Sequence, residues 1–412
     1  MKTPKTYLVG GAVRDALLGL KAAERDWVVV GSTPEEMLKQ GFKQVGASFP
    51  VFLHPKNGEE YALARTEKKS GHGYHGFNVD FHPGVTLEED LQRRDLTINA
   101  IARDEDGSLV DPYGGQRDLQ QKVLRHVSDA FVEDPLRVLR VARFSARLAG
   151  FGFRVHPSTL ALMREITDSG ELKHLAAERI WREIERAMQT EKPSEFVSVL
   201  RECGALEELL PEVNRLFGVP QPEEYHPEID TGVHLLMALD MAAGLSPGSA
   251  NVVFAVLLHD LGKGITPQQE WPSHRGHEST GVPLVDAVCE RLKAPNGMHD
   301  LARKVCLLHL RSHRILEFRP VSSLRLLEKL DVFRQPELLP GFVAACEADY
   351  RGRKGLQDRP YPQGEYLQRA YRASADIRAR DLDLEGASGP EVGERLRQAR
   401  IEAIANLTRL GG

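Results

Sequence analysis

The sequence predicts an α/β head followed by a long, all-helical remainder, and three observations predict it. Up to about residue 135, short β-rich runs alternate with turns, whereas from Asp134 onward apolar residues recur at helical spacing and strand patterns nearly vanish. The third observation is the opening, where Leu8-Val9 runs into Gly10-Gly11 and then Ala12-Val13-Arg14-Asp15, a strand turning into a helix. Glycines at such a turn let backbone N–H groups approach a phosphate chain, and the helix start adds its positive dipole end.

Strands are expected over residues 27–30, 51–54 and 61–66, with Lys56-Asn57-Gly58-Glu59 as the hairpin turn between the last two. Residues 65–77 mix Lys68, Lys69, His72 and His75 with Gly71, Gly73 and Gly76, and read as a mobile loop. Boundaries fall near residues 140, 225 and 350: the second inside the proline-rich stretch 211–227, the third at the break over 351–364. Gly389-Pro390-Glu391 opens a capped amphipathic helix expected to end near Leu410 and to pack on the body.

At 412 residues the chain exceeds one core. Its net charge of −5 excludes a uniformly basic nucleic-acid coat and leaves room for local basic faces. Cys203, Cys289, Cys306 and Cys346 form no Cys-x-x-Cys pair, so reduced, buried thiols and a cytoplasmic location are expected. The longest apolar run, 252–258, is far short of a membrane span. No signal peptide is expected, because Gly10-Gly11 and Arg14-Asp15 interrupt the early apolar stretch.

The chemistry concentrates in three segments of the head. Glu24 and Asp26 lie two residues apart beside a strand, so both face one side and can grip one divalent cation. A Gly-Gly turn alone is usually a tight connection, and surface carboxylates are common; their closeness, with Arg14 a helical turn later, points to a triphosphate. Gly10-Gly11 is neither a Walker A loop nor a dinucleotide fingerprint. Arg93-Arg94-Asp95 then precedes an apolar stretch, and Glu133-Asp134-Pro135 opens a helix carrying Arg137, Arg140, Arg143 and Arg147. At 100° per residue these arginines share about a third of the helix circumference, opposite Val138, Val141 and Ala142. Such a stripe is normally a solvated face; here residues 135–164 hold six arginines and no acid, so an unpaired stripe seeking an anionic partner is expected.

The set GGAVRD, Glu-x-Asp, RRDLTINA, DPYGG and EDPLRVLRVARF, in order from residue 7 to about 150, resembles the class II tRNA nucleotidyltransferases, the CCA-adding enzymes. The resemblance implies an α/β head of the polymerase-β nucleotidyltransferase superfamily followed by helical neck, body and tail: residues 1–140, 141–225, 226–350 and 351–412. By resemblance, Gly11 and Arg14 contact the triphosphate, Glu24 and Asp26 hold catalytic Mg²⁺, and Arg94 with Asp95 hold phosphate and ribose. Asp134 and Arg137 template the base edge, and Arg140 and Arg143 complete the nucleotide pocket. Side-chain templating has a physical basis, since a carboxylate accepts from the exocyclic amine of cytosine or adenine and repels the carbonyl of uracil or guanine. The family's metal motif is most often Asp-x-Asp; Glu24 departs from it by one methylene with the same ligand chemistry. Glu60 and Glu67 are candidates for a supporting carboxylate.

A second site is expected further on. Asp230-Thr231-Gly232-Val233-His234 begins a helix, and an apolar run ends in His259-Asp260-Leu261-Gly262-Lys263. An isolated His-Asp pair is more often a hydrogen-bonded core histidine. Together with His274, His277 and Asp349, however, the order resembles the HD phosphohydrolase module of bacterial CCA-adding enzymes. The implied ligands are His234, His259, Asp260 and Asp349; mixed imidazole and carboxylate donors suit a transition metal, with Ni²⁺ the expected ion. His309 and His313 are left out of that set. The implied activities are phosphatase, 2′-nucleotidase and 2′,3′-cyclic phosphodiesterase.

Between Arg351 and Arg380 eight basic residues face three acids, interleaved with Tyr361, Tyr366 and Tyr371. The segment reads equally as an exposed linker plus helix or as a nucleic-acid-binding face, and the resemblance implies a contact to the tRNA elbow. The expected partners are the tRNA 3′ end and elbow, ATP and CTP, with no membrane and a monomer or homodimer. The rivals are a poly(A) polymerase with the same head, which usually lacks the HD module, and a phosphohydrolase whose head only binds nucleotide. A non-catalytic RNA-binding protein fits neither the intact carboxylates nor the net negative charge.

Overall fold

The computed structural model describes residues 4–21, 24–45, 51–69, 77–382 and 388–407. The chain divides into two compact units, residues 1–180 with 199–209, and residues 181–198 with 210–412.

In the first unit the elements run β1 Lys5–Val9, α1 Gly11–Leu17, β2 Asp26–Val30, α2 Pro34–Lys39, β3 Lys43–Val45, β4 Val51–Leu53, β5 Glu60–Leu63, β6 Thr66–Lys69 and β7 Phe77–Asp80. There follow α3 Leu87–Gln92, β8 Ala102–Arg103, β9 Leu109–Val110, α4 Gly115–Gln121, β10 Val123–Leu124, α5 Leu136–Leu148, β11 Arg154–Val155 and α6 Pro157–Asp168. Seven strands form one mixed sheet in the order β3-β4-β5-β2-β1-β8-β9. Neighbouring valines of β2 point to opposite faces. Val28 accordingly joins Tyr7, Val9, Leu91 and Ala100 on one side, while Val29 joins Met37, Phe52 and Leu63 on the other.

The strand register places the site. Val9, the last residue of β1, pairs with Asp26, the first of β2, so the Gly10-Gly11 turn leaves the sheet beside that carboxylate. Asp26 pairs in turn with Glu60 of β5, and paired residues present side chains to the same face. The expected hairpin forms between β4 and β5, with Gly58 at φ +70°. Residues 65–77 are not simply a loop: their ends belong to the antiparallel pair β6–β7, and residues 70–76 lie outside the described residues. Among the described residues past Asp134 one short strand survives, β11, beside β10. Helix α5 buries Val138, Leu139, Val141 and Ala142 completely; each of its larger aliphatic side chains contributes about 1.5–3 kcal/mol.

Helix α7 (Ala177–Met188) is shared between the units, and α8 (Pro193–Glu202), α9 (Ala205–Leu209) and α10 (Pro211–Asn214) follow. The second unit continues with α11 Thr231–Leu245, α12 Ala250–Leu258, α13 His277–Leu292, α14 Asn296–His313, α15 Pro320–Leu330, α16 Leu338–Arg351, α17 Pro362–Ala375 and α18 Gly389–Ala405. Asp230 caps α11 by accepting from the Val233 N–H at 2.9 Å. Helix α12 is apolar on all sides and buried, as a central helix must be; α11, α14 and α16 surround it. Its end therefore delivers His259 and Asp260 into the interior. A Cβ on Gly262 would collide with the His277 carbonyl, so glycine there lets the start of α13 close on Asp260. Ser388 and Glu391 form a capping box on α18, and that helix packs on α15, with Arg397 on Glu328 and Ile404 buried.

Candidate functional site

The first constellation surrounds the Gly10-Gly11 turn. Gly10 has φ +70°, and a Cβ on it would stand 3.0 Å from Arg94 Nη1, so the arginine reaches across the turn. Arg94 donates to Asp90 Oδ2 at 3.1 Å, while its buried Nε has no hydrogen-bond partner. That orphaned donor beside a glycine turn suits an anion. Arg93 and Arg94 together hold the Asp90 carboxyl down to about 2 against the opposing effect of burial.

Asp26 opens the interior strand β2 next to this turn, and it and Glu24 are both solvent-exposed. Partial enclosure by protein pushes the Asp26 carboxyl above the ordinary aspartate range; Arg94 opposes that shift and Glu24 adds to it. Two neighbouring carboxylates with an exposed approach fit a divalent cation. Glu60 occupies the neighbouring register position; the Glu67 side chain lies outside the described residues.

Arg14 lies under the turn rather than in the open: it is 1% exposed. Its Nη1 donates to Asn99 at 2.6 Å, and its Nε and Nη2 donate to Asp15 Oδ1 at 2.9 and 2.7 Å. The guanidinium remains next to Gly11, with Nη2 3.4 Å from where a Gly11 Cβ would sit. Asp95 accepts from the Leu96 N–H and Asn99 on one oxygen and from Arg140 on the other, at 2.7 and 2.8 Å. These partners hold its carboxyl well below the usual range, although burial works the other way.

The expected unpaired arginine stripe is paired. Arg140 binds Asp95, and Arg147 binds Asp15 Oδ2 at 2.7 Å. The acids come from elements 45 and 132 residues away, which is why the local absence of acids on α5 misleads. Arg143 lies over the Phe144 ring with its guanidinium carbon 4.3 Å from the centroid. Arg137 donates to the carbonyls of Ala130 at 2.9 Å and Arg93 at 2.5 Å. Asp134 accepts from the Leu136 N–H at 3.0 Å and faces Arg179 at 3.4 Å. Replacing Asp15 by alanine leaves two guanidinium groups without their shared acid, one of them buried. The expected cost is about 3–5 kcal/mol, seen as a lower midpoint of thermal unfolding, with Asp15→Asn falling between. An unmoved midpoint contradicts this role.

The second constellation lies where α12 ends. The four expected ligands are all there and buried. Ligand atoms of His234, His259 and Asp349 lie within 4.8 Å of one another, and so do those of Asp260, His277 and His309. His234 Nε2 is 3.1 Å from Asp349 Oδ1, and His259 Nε2 is 3.1 Å from Asp260 Oδ2. Of the residues left out of the expected set, His309 joins the second group and His313 binds Asp349 Oδ2 at 2.6 Å. A His-x-x-x-His spacing on α14 was the available signal, and it could equally mark a core face. His274 turns its Nε2 to the Pro220 carbonyl at 2.7 Å and belongs to neither group.

The donor set fits a metal ion. His259 Nε2 and both Asp260 carboxylate oxygens are buried without a hydrogen bond of good geometry, and such atoms are costly unless a cation satisfies them. Burial alone would lower His259, but the Asp260 charge beside it reverses this and raises it; burial takes His309 down to about 3. Lys263 stands 2.7 Å from Asp260 Oδ2, Arg353 donates to Asp349 Oδ1 at 3.3 Å, and Glu228 lies 3.1 Å from His234 Nδ1. No helix among the described residues is long and apolar enough to cross a membrane.

Known proteins resemble this chain along almost its whole length. Residues 6–125 match the family model of the poly A polymerase head domain, 152–217 that of the probable RNA and SrmB-binding site of polymerase A, and 231–362 that of the HD domain. The multifunctional CCA protein of Alkalilimnicola ehrlichii is 57% identical over 405 residues, 98% of each chain. That of Pseudomonas fluorescens is 58% identical over 400 residues, 97% of this chain and 98% of its own. Among solved structures, the Bacillus stearothermophilus CCA-adding enzyme in complex with CTP shares the fold with a TM-score of 0.65 at 24% identity, covering 98% of this chain and 89% of that one. The Thermotoga maritima CCA-adding enzyme complexed with tRNA does so with a TM-score of 0.59 at 22% identity, covering 98% and 88%. The chain is an enzyme with a polymerase-type nucleotidyltransferase head and an HD phosphohydrolase domain, and it belongs to the multifunctional CCA protein family.

Proposed function

We propose that this enzyme adds and repairs the 3′-terminal C, C and A of tRNA from CTP and ATP without a nucleic-acid template, and hydrolyses phosphate esters at the HD site. The observation that carries the first activity is the β1–β2 register, which sets the Gly10-Gly11 turn and Arg94 directly beside Asp26. Gly11 and Arg94 receive the triphosphate, and Arg14 strengthens that wall from below. Glu24 and Asp26 hold Mg²⁺, which when bound lowers the pKa of the RNA 3′-hydroxyl and neutralises charge on the α-phosphate. Attack is in line, with pyrophosphate leaving. Asp95 orients Arg140 and meets the ribose, while Arg140 and Arg143 close the pocket.

Selection of C and A rests on Asp134 and Arg137 reading the base edge. The Leu136 N–H orients the Asp134 carboxylate, and two backbone carbonyls orient the Arg137 guanidinium, before any base arrives. Hydrogen bonds to charged groups contribute about 1.5–3 kcal/mol. Asp134→Ala should therefore lose about ten- to a hundredfold of discrimination against UTP and GTP, measured by single-nucleotide addition to tRNA lacking its CCA end. Undiminished discrimination rules out templating by this side chain.

At the HD site, His234, His259, Asp260 and Asp349 hold a transition metal, with Ni²⁺ the preferred ion, and Lys263 and Arg353 supply positive charge for a phosphate. A bound metal would supply an activated water and polarise the ester. Phosphatase, 2′-nucleotidase and 2′,3′-cyclic phosphodiesterase reactions all need only that set, and could prepare damaged 3′ ends for addition. The domain limits 1–140, 141–225, 226–350 and 351–412, a tail reaching the tRNA elbow and a cytoplasmic location complete the reading.

A further inference from the structure

We infer that Gln221 and His274 form a subsite that reads a sugar hydroxyl next to the phosphate. His274 Nδ1 accepts from that hydroxyl, while the Gln221 amide and Lys263 donate to a phosphate oxygen. The inference rests on the proposed phosphohydrolase and names its substrate class: phosphate monoesters of a sugar that keeps a free hydroxyl on the neighbouring carbon.

Residues 219–230 form neither helix nor strand, and their ends are clipped together. The Gln221 N–H donates to the Ile229 carbonyl at 2.8 Å, and the Thr231 N–H to the Val219 carbonyl at 2.9 Å. From this strap the Gln221 side chain reaches Lys263, whose Nζ donates to Gln221 Oε1 at 2.8 Å and lies 2.7 Å from Asp260 Oδ2. An ammonium only donates, so the oxygen of the Gln221 amide faces Lys263 and its NH₂ faces elsewhere. That NH₂ is buried with no hydrogen-bond partner, on a residue only 2% exposed. His274 supplies the opposite polarity. Its Nε2 lies 2.7 Å from the Pro220 carbonyl, the oxygen of the peptide group that leads into Gln221. A carbonyl only accepts, so Nε2 carries the hydrogen. Burial, with the Lys263 charge adding to it, keeps the ring neutral, so Nδ1 is a bare lone pair. It too is buried without a partner, on a residue 1% exposed.

An unmatched donor and an unmatched acceptor thus flank one peptide group, and each is costly to leave unpaired in the interior. A metal ion offers nothing to an N–H donor. A phosphate oxygen beside a hydroxyl offers both polarities on neighbouring atoms, and a 2′-nucleotide carries that pair. The backbone here is held outside its ordinary range, with the β-branched Ile229 at φ +62° and His274 at φ +47°. Such strain gathers at ligand clamps. Because the strap closes over these groups, the ester enters by its outward movement.

The test compares uridine 2′-monophosphate with its 3′-deoxy analogue as substrates of the full, Ni²⁺-loaded chain; uracil suits neither ester to a head that selects C and A. The parent should favour the hydroxylated ester by about tenfold or more in kcat/KM, since the analogue leaves the His274 acceptor unpaired. That ratio should fall to near one in His274→Ala and persist in His274→Asn, whose side chain keeps an acceptor near the Nδ1 position and tolerates the left-handed backbone. Gln221→Ala should raise KM for both esters alike. A ratio cancels any loss of folded or metal-loaded protein. Calorimetry on the chelator-treated chain reads binding without turnover and should show the same preference. Equal kcat/KM and equal affinity for the two esters, or a preference undiminished in His274→Ala, overturns the subsite, the two groups then holding only a water, and leaves the phosphohydrolase standing. No hydrolysis of either ester by the loaded parent overturns the phosphohydrolase, and equal calorimetric affinities then overturn the subsite as well.

Discussion

Asp26→Ala should abolish nucleotide addition while leaving phosphate-ester hydrolysis at its original rate. The effect is large because Asp26 is the one site carboxylate set by register directly against the glycine turn, where the triphosphate is proposed to lie. Its loss removes the cation from the reacting α-phosphate. A bound divalent ion supplies several kcal/mol of transition-state stabilisation, and each 1.36 kcal/mol is tenfold, so a fall of at least about 10³-fold is expected. Glu24→Ala should fall less, since Glu24 precedes β2 and is not held by the strand register. Addition to tRNA lacking its 3′ end, followed on a sequencing gel, separates the variants. Equal losses of addition and hydrolysis in folded Asp26→Ala would contradict the two-site account.

His259→Ala should give the mirror image: no hydrolysis of 2′,3′-cyclic nucleotides, loss of bound transition metal and normal addition. His259 is 1% exposed and has Nε2 turned to Asp260, so no solvent ligand can replace it without an opening in the core. The substitution also creates a cavity, and large-to-small changes in a core cost about 2–5 kcal/mol. His259→Gln, which fills most of the space, separates lost folding from lost ligation. Retention of hydrolysis in either variant, with metal still bound, would remove His259 from the ligand set.

Both sites were legible in the chain to the extent that their parts are local. The Gly10-Gly11 turn, the Glu24/Asp26 pair and His259-Asp260 are each written within three residues, because a turn, a strand face and a helix end are local objects. What the chain did not reveal is pairing between distant elements. Arg140 and Arg147 look unpartnered along α5, yet their acids lie on α1 and directly after α3, brought there by the sheet. Arg14, read from its spacing as open to a ligand, is drawn inward by Asp15 and Asn99. His309 and His313 are ambiguous along the chain for the same reason: a helical histidine pair is decided by what faces it, and Asp260 and Asp349 come from the turn after α12 and from α16. The pair β6–β7 is hard to read from the chain because each strand has four residues, β6 is wholly polar, and glycines and histidines lie between them.

Proposed selection of C, C and A in turn by one head is read out in the size of what it makes. Purified enzyme incubated with tRNA lacking its 3′ terminus, CTP and ATP together, should yield a product longer by three nucleotides and then stop. A product halted after two cytidines with ATP present, or one extended into a long run of adenosines, would contradict it.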